Sequence, residues 1–175
     1  NFSDSADGVT GGSSAHSLKG VAIVGNTATA AQGKWQWSTD GSAWTDIATT
    51  GLSDSAAVYV GSATLVRFVP AANYNGTPGS LTVRLIESSD SAAPADGGTY
   101  DVSVNGGATS ISSGTVALGT SISAVNDAPV ATGSATLAAV AEDVTAPAGS
   151  TVSSLFGTNF SDSADGVTGG SSAHS

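Results

Sequence analysis

Short runs in which apolar and polar residues alternate dominate the chain, and turn-forming residues separate them. Trp35 and Trp37 fall on one face of such a run with Gln36 opposite, which is the period of a half-buried strand. The runs are LKGVAIVGN (18–26), GKWQWSTDGSAWTDI (33–47), AAVYVGSATLVRFVP (56–70), SLTVRLIESS (80–89), GTYDVSVNGG (98–107) and GTVALGTSISAVN (114–126). They predict seven to nine strands and almost no helix.

The pattern also predicts faces and turns within these runs. Leu81, Val83 and Leu85 should share one face, and Tyr100, Val102 and Val104 should share another. Asp40-Gly41 predicts a type I′ hairpin turn. Two later runs, TGSATLAAVAEDV (132–144) and STVSSLFGTNF (150–160), are predicted as strands. An aromatic core is expected from Trp35, Trp37, Phe68 and Tyr74.

Seven to nine short antiparallel strands of uneven length favour an all-β fold, namely an antiparallel β-sandwich. A closed barrel is the alternative. The strands are short and of uneven length, which favours the sandwich.

The chain contains one long internal repeat. The segment NFSDSADGVTGGSSAHS occupies residues 1–17 and recurs, letter for letter, at residues 159–175. The offset between Asn1 and Asn159 gives a period of 158 residues, which suits one whole domain per repeat. We therefore expect a window on a tandem array that belongs to a longer chain.

The amino-acid composition disfavours several classes of binding partner. Charged residues make up 10% of the chain, against about 25% in an average soluble protein. The four Lys and Arg residues and 14 Asp and Glu residues give a net charge of −10. This charge disfavours nucleic acid and anionic membrane surfaces, and no apolar run reaches the ~20 residues that span a bilayer. The absence of Cys excludes disulfides and thiolate chemistry.

Two motifs resemble a known class of protein. VNDAPV (125–130) and the pattern FxPxxNYNG resemble the cadherin-like or immunoglobulin-like tandem repeats of giant bacterial surface adhesins, of the repeats-in-toxin or biofilm-associated type. The second pattern is carried by Phe68, Pro70, Asn73, Tyr74, Asn75 and Gly76. The resemblance implies an immunoglobulin-like or cadherin-like sandwich on the secreted or cell-surface side of a bacterium.

In such arrays the NDAPV motif marks the junction between successive repeats. The resemblance therefore places most of one repeat in residues 1–125 and the first strands of the next repeat in residues 126–175. Residues 126–160 are expected to pair with a sheet formed by residues 18–125 of an adjacent unit, covalently linked or donated. Neighbouring identical repeats are then the expected partners, and strand donation between them would build a filament.

The resemblance also implies Ca²⁺ at the repeat junctions. Ca²⁺ binds six to eight oxygen ligands, and acidic residues near the junction motif are the candidates. The metal candidates are Asp127, Glu142, Asp143, Asp4, Asp7, Asp162 and Asp165. The alternative is that these residues form turns by hydrogen bonding to their own backbone.

No catalytic motif is present, and we predict that the chain is not an enzyme. His16 near Ser13 and Ser14 lacks the G-x-S-x-G nucleophile elbow of a hydrolase. The expected function is a structural spacer repeat of a fibrous adhesin or matrix protein. The rival is a carbohydrate-binding module that holds surface glycans through Trp35, Trp37 and Trp44, although the alternation at Trp35 and Trp37 favours a core role.

Overall fold

The computed structural model describes residue 3 and residues 15–166, and within them the fold is all-β with antiparallel sheets. These described residues contain ten strands and one five-residue helix. They are β1 (Leu18–Asn26), β2 (Gly33–Ser38), β3 (Thr45–Asp46), β4 (Ala57–Gly61), β5 (Leu65–Pro70), β6 (Leu81–Glu87), β7 (Thr99–Tyr100), β8 (Val116–Leu118), β9 (Val130–Ala131), α1 (Val152–Phe156) and β10 (Phe160–Ser161).

The strands form a five-stranded sheet in the order β7-β4-β1-β6-β8 and a three-stranded sheet in the order β3-β2-β5. β1 is the central strand, and it pairs with β4 on one side and β6 on the other. The connection from β4 to β5 passes from the first sheet to the second. β9 and β10 pair only with each other, as a separate two-stranded ladder.

One apolar cluster contains side chains from both main sheets. Ile23 and Leu81 come from the five-stranded sheet, and Trp35 comes from the three-stranded sheet. The Trp35 ring meets Phe68 edge-on, with 5.3 Å between ring centroids. The indole N–H of Trp35 donates to the carbonyl of Gly79 at 2.8 Å, so the buried ring has no unsatisfied polar atom. The prediction that Leu81, Val83 and Leu85 share a face is confirmed, since all three contribute to this cluster.

The opposite face of the five-stranded sheet is covered by the long connections after β6 and β7. Ala22, Tyr59, Ile86, Val102 and Ile111 form a second cluster there. Because both faces are covered, β1 is almost continuously apolar along its central part rather than strictly alternating.

The chain enters the fold at one end and leaves it at the opposite end. Leu18 lies beside Glu87, whereas Asn26 at the other end of β1 lies beside Leu81. Leu81 in turn pairs with Leu118 of β8, after which the chain leaves the sheet. We call the end that carries Leu18 and Glu87 the entry end, and the end that carries Asn26, Leu81 and Leu118 the exit end.

Residues 126–166 differ from the rest of the described chain. All the buried apolar residues of the described part lie between Ala22 and Ile111. Large apolar side chains after residue 125 are instead exposed, including Val130, Leu137, Val140, Phe156 and Phe160. The predicted split into residues 1–125 and 126–175 stays a prediction.

Five local predictions were wrong. Tyr74 is only half-buried and does not join Trp35, Trp37 and Phe68 in the core cluster. Val152–Phe156 is helical, and the side chain of Thr151 caps the helix by accepting the Ser154 N–H. Within the described part of the chain, no strand lies beside this segment to pair with it. Residues 132–144 form no strand for the same lack of a partner.

The other two errors concern a strand and a turn. The run 98–107 gives only β7, and Val104 is 76% exposed. The β2–β3 connection is not a type I′ turn, since Gly41 has a positive φ and Asp40 does not. Instead the carboxylate of Asp40 accepts the backbone N–H groups of Ser42 and Ala43.

Candidate functional site

The candidate site is a cavity of about 250 Å³ at the exit end. Pro70 at the end of β5, the Asn73-Tyr74-Asn75 turn and Ile122 form one part of its wall, and Asp127 and Asp165 form another. Asn73 has a φ of 60°, a left-handed conformation that Asn tolerates better than most residues. A bridge between Gly76 and Ile122 holds this turn to the segment that leaves β8. Both motifs of the resemblance therefore meet at one cavity.

Asp165 supplies a buried carboxylate to this site. Its side chain is buried at 3% exposure, and its Oδ1 accepts the backbone N–H of Asp127 at 3.1 Å. Its Oδ2 is buried and has no hydrogen-bond partner. A buried carboxylate oxygen without a partner is costly, and a bound cation would remove that cost.

The oxygen donors at the cavity fit Ca²⁺ in type. Two carboxylates, Asp127 and Asp165, and the amide side chains of Asn73 and Asn75 line it, and Ca²⁺ accepts carboxylate, amide and carbonyl oxygens. The described residues contain no group of three or more His, Cys, Asp or Glu that could hold a metal ion. A cation here would therefore depend on uncharged oxygens for most of its ligands.

The other metal candidates are placed differently. Asp162 is half-buried in the segment that leads to Asp165. Glu142 and Asp143 lie in an exposed turn and do not line the cavity. Asp4 and Asp7 lie outside the described residues, although their sequence context is identical to that of Asp162 and Asp165. Of the seven candidates, the structure brings Asp127 and Asp165 together.

Asn73 and Asn75 were not predicted as site residues. They belong to the NYNG motif, which is far from Asp127 in sequence. The sequence therefore does not show that these residues lie at one cavity. The signal that could have revealed them was the resemblance itself, because both of its motifs fall at one end of the fold.

The three Trp residues do not form one exposed platform. Trp35 is buried and Trp37 packs against the same cluster. Trp44 is partly exposed, and the guanidinium of Arg67 lies over its ring at 3.7 Å from the centroid. Two of the three rings therefore serve the core, as the alternation predicted, and Arg67 covers one face of the third.

At the entry end, residues 16 and 17 attach to the segment that follows β6. Ser17 exchanges two hydrogen bonds with Ser88, at 3.2 and 2.8 Å. His16 lies 3.8 Å from the carboxylate of Glu87. Ser13 and Ser14, which the sequence analysis weighed with His16 and did not assign to a catalytic site, lie outside the described residues.

Comparisons with protein-family models, curated proteins and solved structures give no match for this chain. No helix in the described part of the chain is both long and apolar enough to cross a membrane.

Proposed function

We propose that this chain is a non-catalytic spacer repeat of a secreted or cell-surface fibrous adhesin or matrix protein of a bacterium. Each repeat would supply length and cohesion to a head-to-tail array. The proposal includes an antiparallel β-sandwich of the immunoglobulin-like or cadherin-like type for residues 18–125, which the cluster shared by the two main sheets supports.

The observation that carries the proposal is the direction of the chain through the fold. The chain enters β1 at Leu18 and leaves after Leu118 at the opposite end. A tandem array with this geometry gains length at each repeat instead of folding back. The nine residues of β1 alone span roughly 30 Å at about 3.3 Å per residue.

The repeated 17-residue segment supports the same proposal from both ends. Residues 16 and 17 of the first copy attach to the entry end through Ser88. Asp165 of the second copy attaches to the exit end through Asp127. In an array, one copy of the segment would make both sets of contacts and would connect two successive repeats.

We propose further that Ca²⁺ occupies the exit-end cavity and fixes this connection. The support is the buried, unpartnered Oδ2 of Asp165 beside Asp127. A divalent cation there would tie the segment that begins the next repeat to the end of the preceding one.

Small-angle X-ray scattering of chains with one and two periods tests the spacer function. The second period should raise the maximum dimension by roughly 30 Å or more, the span of β1, with an unchanged cross-section. A wider cross-section with little gain in length would contradict it. Specific binding on a glycan array that is lost in Trp44→Ala would instead favour the carbohydrate-binding rival.

A further inference from the structure

All four basic residues of the chain lie inside strands. Lys19 is in β1, Lys34 is in β2, Arg67 is in β5 and Arg84 is in β6. None of the connections between the described strands contains Lys or Arg, and neither does any part of residues 85–175. Trypsin-like proteases, which cut after basic residues, therefore have no cleavage site in any described loop.

The core protects the peptide bonds that follow these four residues. The residue after each basic side chain is buried or half-buried, and three of these residues belong to the cluster between the two main sheets. They are Gly20, Trp35, Phe68 and Leu85, of which Gly20 lies outside that cluster. A protease binds its substrate as an extended segment free of other pairing, so cleavage at these bonds requires the strands to separate.

Residues 133–149, which we call the exposed connection, have the opposite properties. Each of them is exposed except Ala135, which is half-buried. The exposed connection contains no strand or helix, and its one backbone hydrogen bond in the described chain runs from the Val144 N–H to the Ala141 carbonyl. Exposed segments with an unpaired backbone are the preferred sites of proteolytic cleavage.

The composition of the exposed connection selects the class of protease. It contains six Ala and two Val residues, and no Lys or Arg. Elastase-like endoproteases have a small specificity pocket and cut after small apolar residues. The exposed connection therefore offers several sites to an elastase-like enzyme and none to a trypsin-like enzyme.

We infer that the exposed connection is the site at which elastase-like endoproteases cleave this folded chain, and that trypsin-like endoproteases leave the folded chain intact. The reaction is hydrolysis of one peptide bond. The water oxygen joins the carbonyl carbon, and the nitrogen takes up a proton and leaves as an amine. One cut separates residues 18–125, which hold the core, from the segment that carries Asp165. The inference does not depend on the proposed spacer function.

Limited digestion of the full chain, with fragments identified by mass spectrometry, tests the elastase half. Among residues 15–166, the first cut by elastase should fall within residues 133–149. A first cut within residues 18–125 would overturn the inference, because it would show that a connection of the core fold is more accessible than the exposed connection.

Two variants that each carry one new Lys test the trypsin half. Ala138→Lys places it in the exposed connection, and trypsin should cut this variant into residues 1–138 and 139–175. Ala63→Lys is the matched control, because it places the new Lys in an exposed turn between the paired strands β4 and β5. About 10⁻³ to 10⁻⁶ of the molecules of a marginally stable protein are unfolded at any time, so trypsin should cut the wild type at least about 1,000 times more slowly than Ala138→Lys.

The melting temperature of each variant shows that it is folded, and Thr145→Lys provides a second placement in the exposed connection. Trypsin should also cut the heat-unfolded wild type after all four basic residues, which shows that those bonds are cleavable once exposed. Equal trypsin rates for Ala138→Lys and Ala63→Lys, or rapid cleavage of the folded wild type, would overturn the inference.

Discussion

The carboxylate of Asp165 accepts the backbone N–H of Asp127 at 3.1 Å, across 38 residues of sequence. This contact joins the segment that is repeated along the chain to the end of the fold from which the chain leaves. The other oxygen of the same carboxylate, Oδ2, is buried and has no hydrogen-bond partner.

The first prediction concerns this contact. Asp165→Ala should remove the acceptor for the Asp127 N–H, and amide hydrogen exchange at Asp127 should accelerate by one to two orders of magnitude, since a hydrogen bond to a charged group is worth about 1.5–3 kcal/mol. Asp143→Ala, at an exposed position outside the cavity, is the matched control and should leave that rate unchanged. An unchanged rate in Asp165→Ala would show that the contact does not hold the segment.

The second prediction concerns calcium. Ca²⁺ should raise the melting temperature of the chain, because a ligand that binds only the folded state at 100 times its Kd stabilises that state by about 2.7 kcal/mol. Asp165→Asn should abolish the shift, and Glu142→Gln should preserve it. A wild-type melting temperature that is insensitive to Ca²⁺, or a loss of the shift in Glu142→Gln alone, would contradict the assignment to the exit-end cavity.

The third prediction compares two Trp residues. Trp35→Ala should lower the free energy of unfolding by about 3–5 kcal/mol, because it empties a buried site between the two main sheets. Trp44→Ala should cost about 0.5–1 kcal/mol, the value of an exposed cation–π contact with Arg67. Chemical denaturation measures both. Similar losses in the two variants would show that Trp35 is not the core anchor.

The fourth prediction concerns pH and Asp90, a carboxylate at 7% exposure. Burial opposes ionisation, yet hydrogen bonds from Ser110, Tyr100 and two backbone N–H groups outweigh it and hold the pKa of Asp90 below its usual value. The stability that Asp90 contributes is therefore fully present above the unfolded-state pKa of about 3.9 and is lost as pH falls through the lower folded-state pKa.

Asp90→Asn isolates this contribution. The difference in unfolding free energy between the wild type and the variant should be constant at neutral pH and should shrink below about pH 4. Asp101→Asn, at an exposed position, should show a smaller difference at neutral pH. A difference for Asp90→Asn that does not change with pH would mean that its charge is not the stabilising feature.

Local pattern predicted the positions of the central strands, since β1, β2 and β6 each form within a predicted run. It did not predict which faces are buried, because Gln36 is buried beside Trp35 and β1 is covered on both faces. The alternating pattern also predicted strands at Val104 and at residues 152–156, and these strands do not form. A strand requires a neighbouring strand to pair with, and the local pattern does not reveal whether one is present. Thr151 can cap a helix in any context, whereas a strand at 152–156 would need a neighbour that the described fold does not provide.

The sequence predicted only some of the residues at the candidate site, because local patterns do not show which segments meet in space. Asp127 and Asp165 stand in motifs that the sequence displays. Their convergence with Asn73 and Asn75 depends on the β5 and β8 ends meeting at one end of the fold, which no local pattern encodes. Glu142 and Asp143 looked equally suitable in sequence, and their exposure follows from the absence of a packed partner for residues 132–144.

The proposed spacer function requires that the exit end holds successive repeats in line. Pulsed electron paramagnetic resonance on a two-period chain tests it most directly, with a nitroxide on Ala63→Cys in each repeat; the chain has no other Cys. Ala63 lies in the exposed turn at the entry end. We expect one narrow distance longer than roughly 30 Å, the span of β1, which broadens in Asp165→Asn. A broad distribution in the wild type, or a distance shorter than the strand, would contradict it.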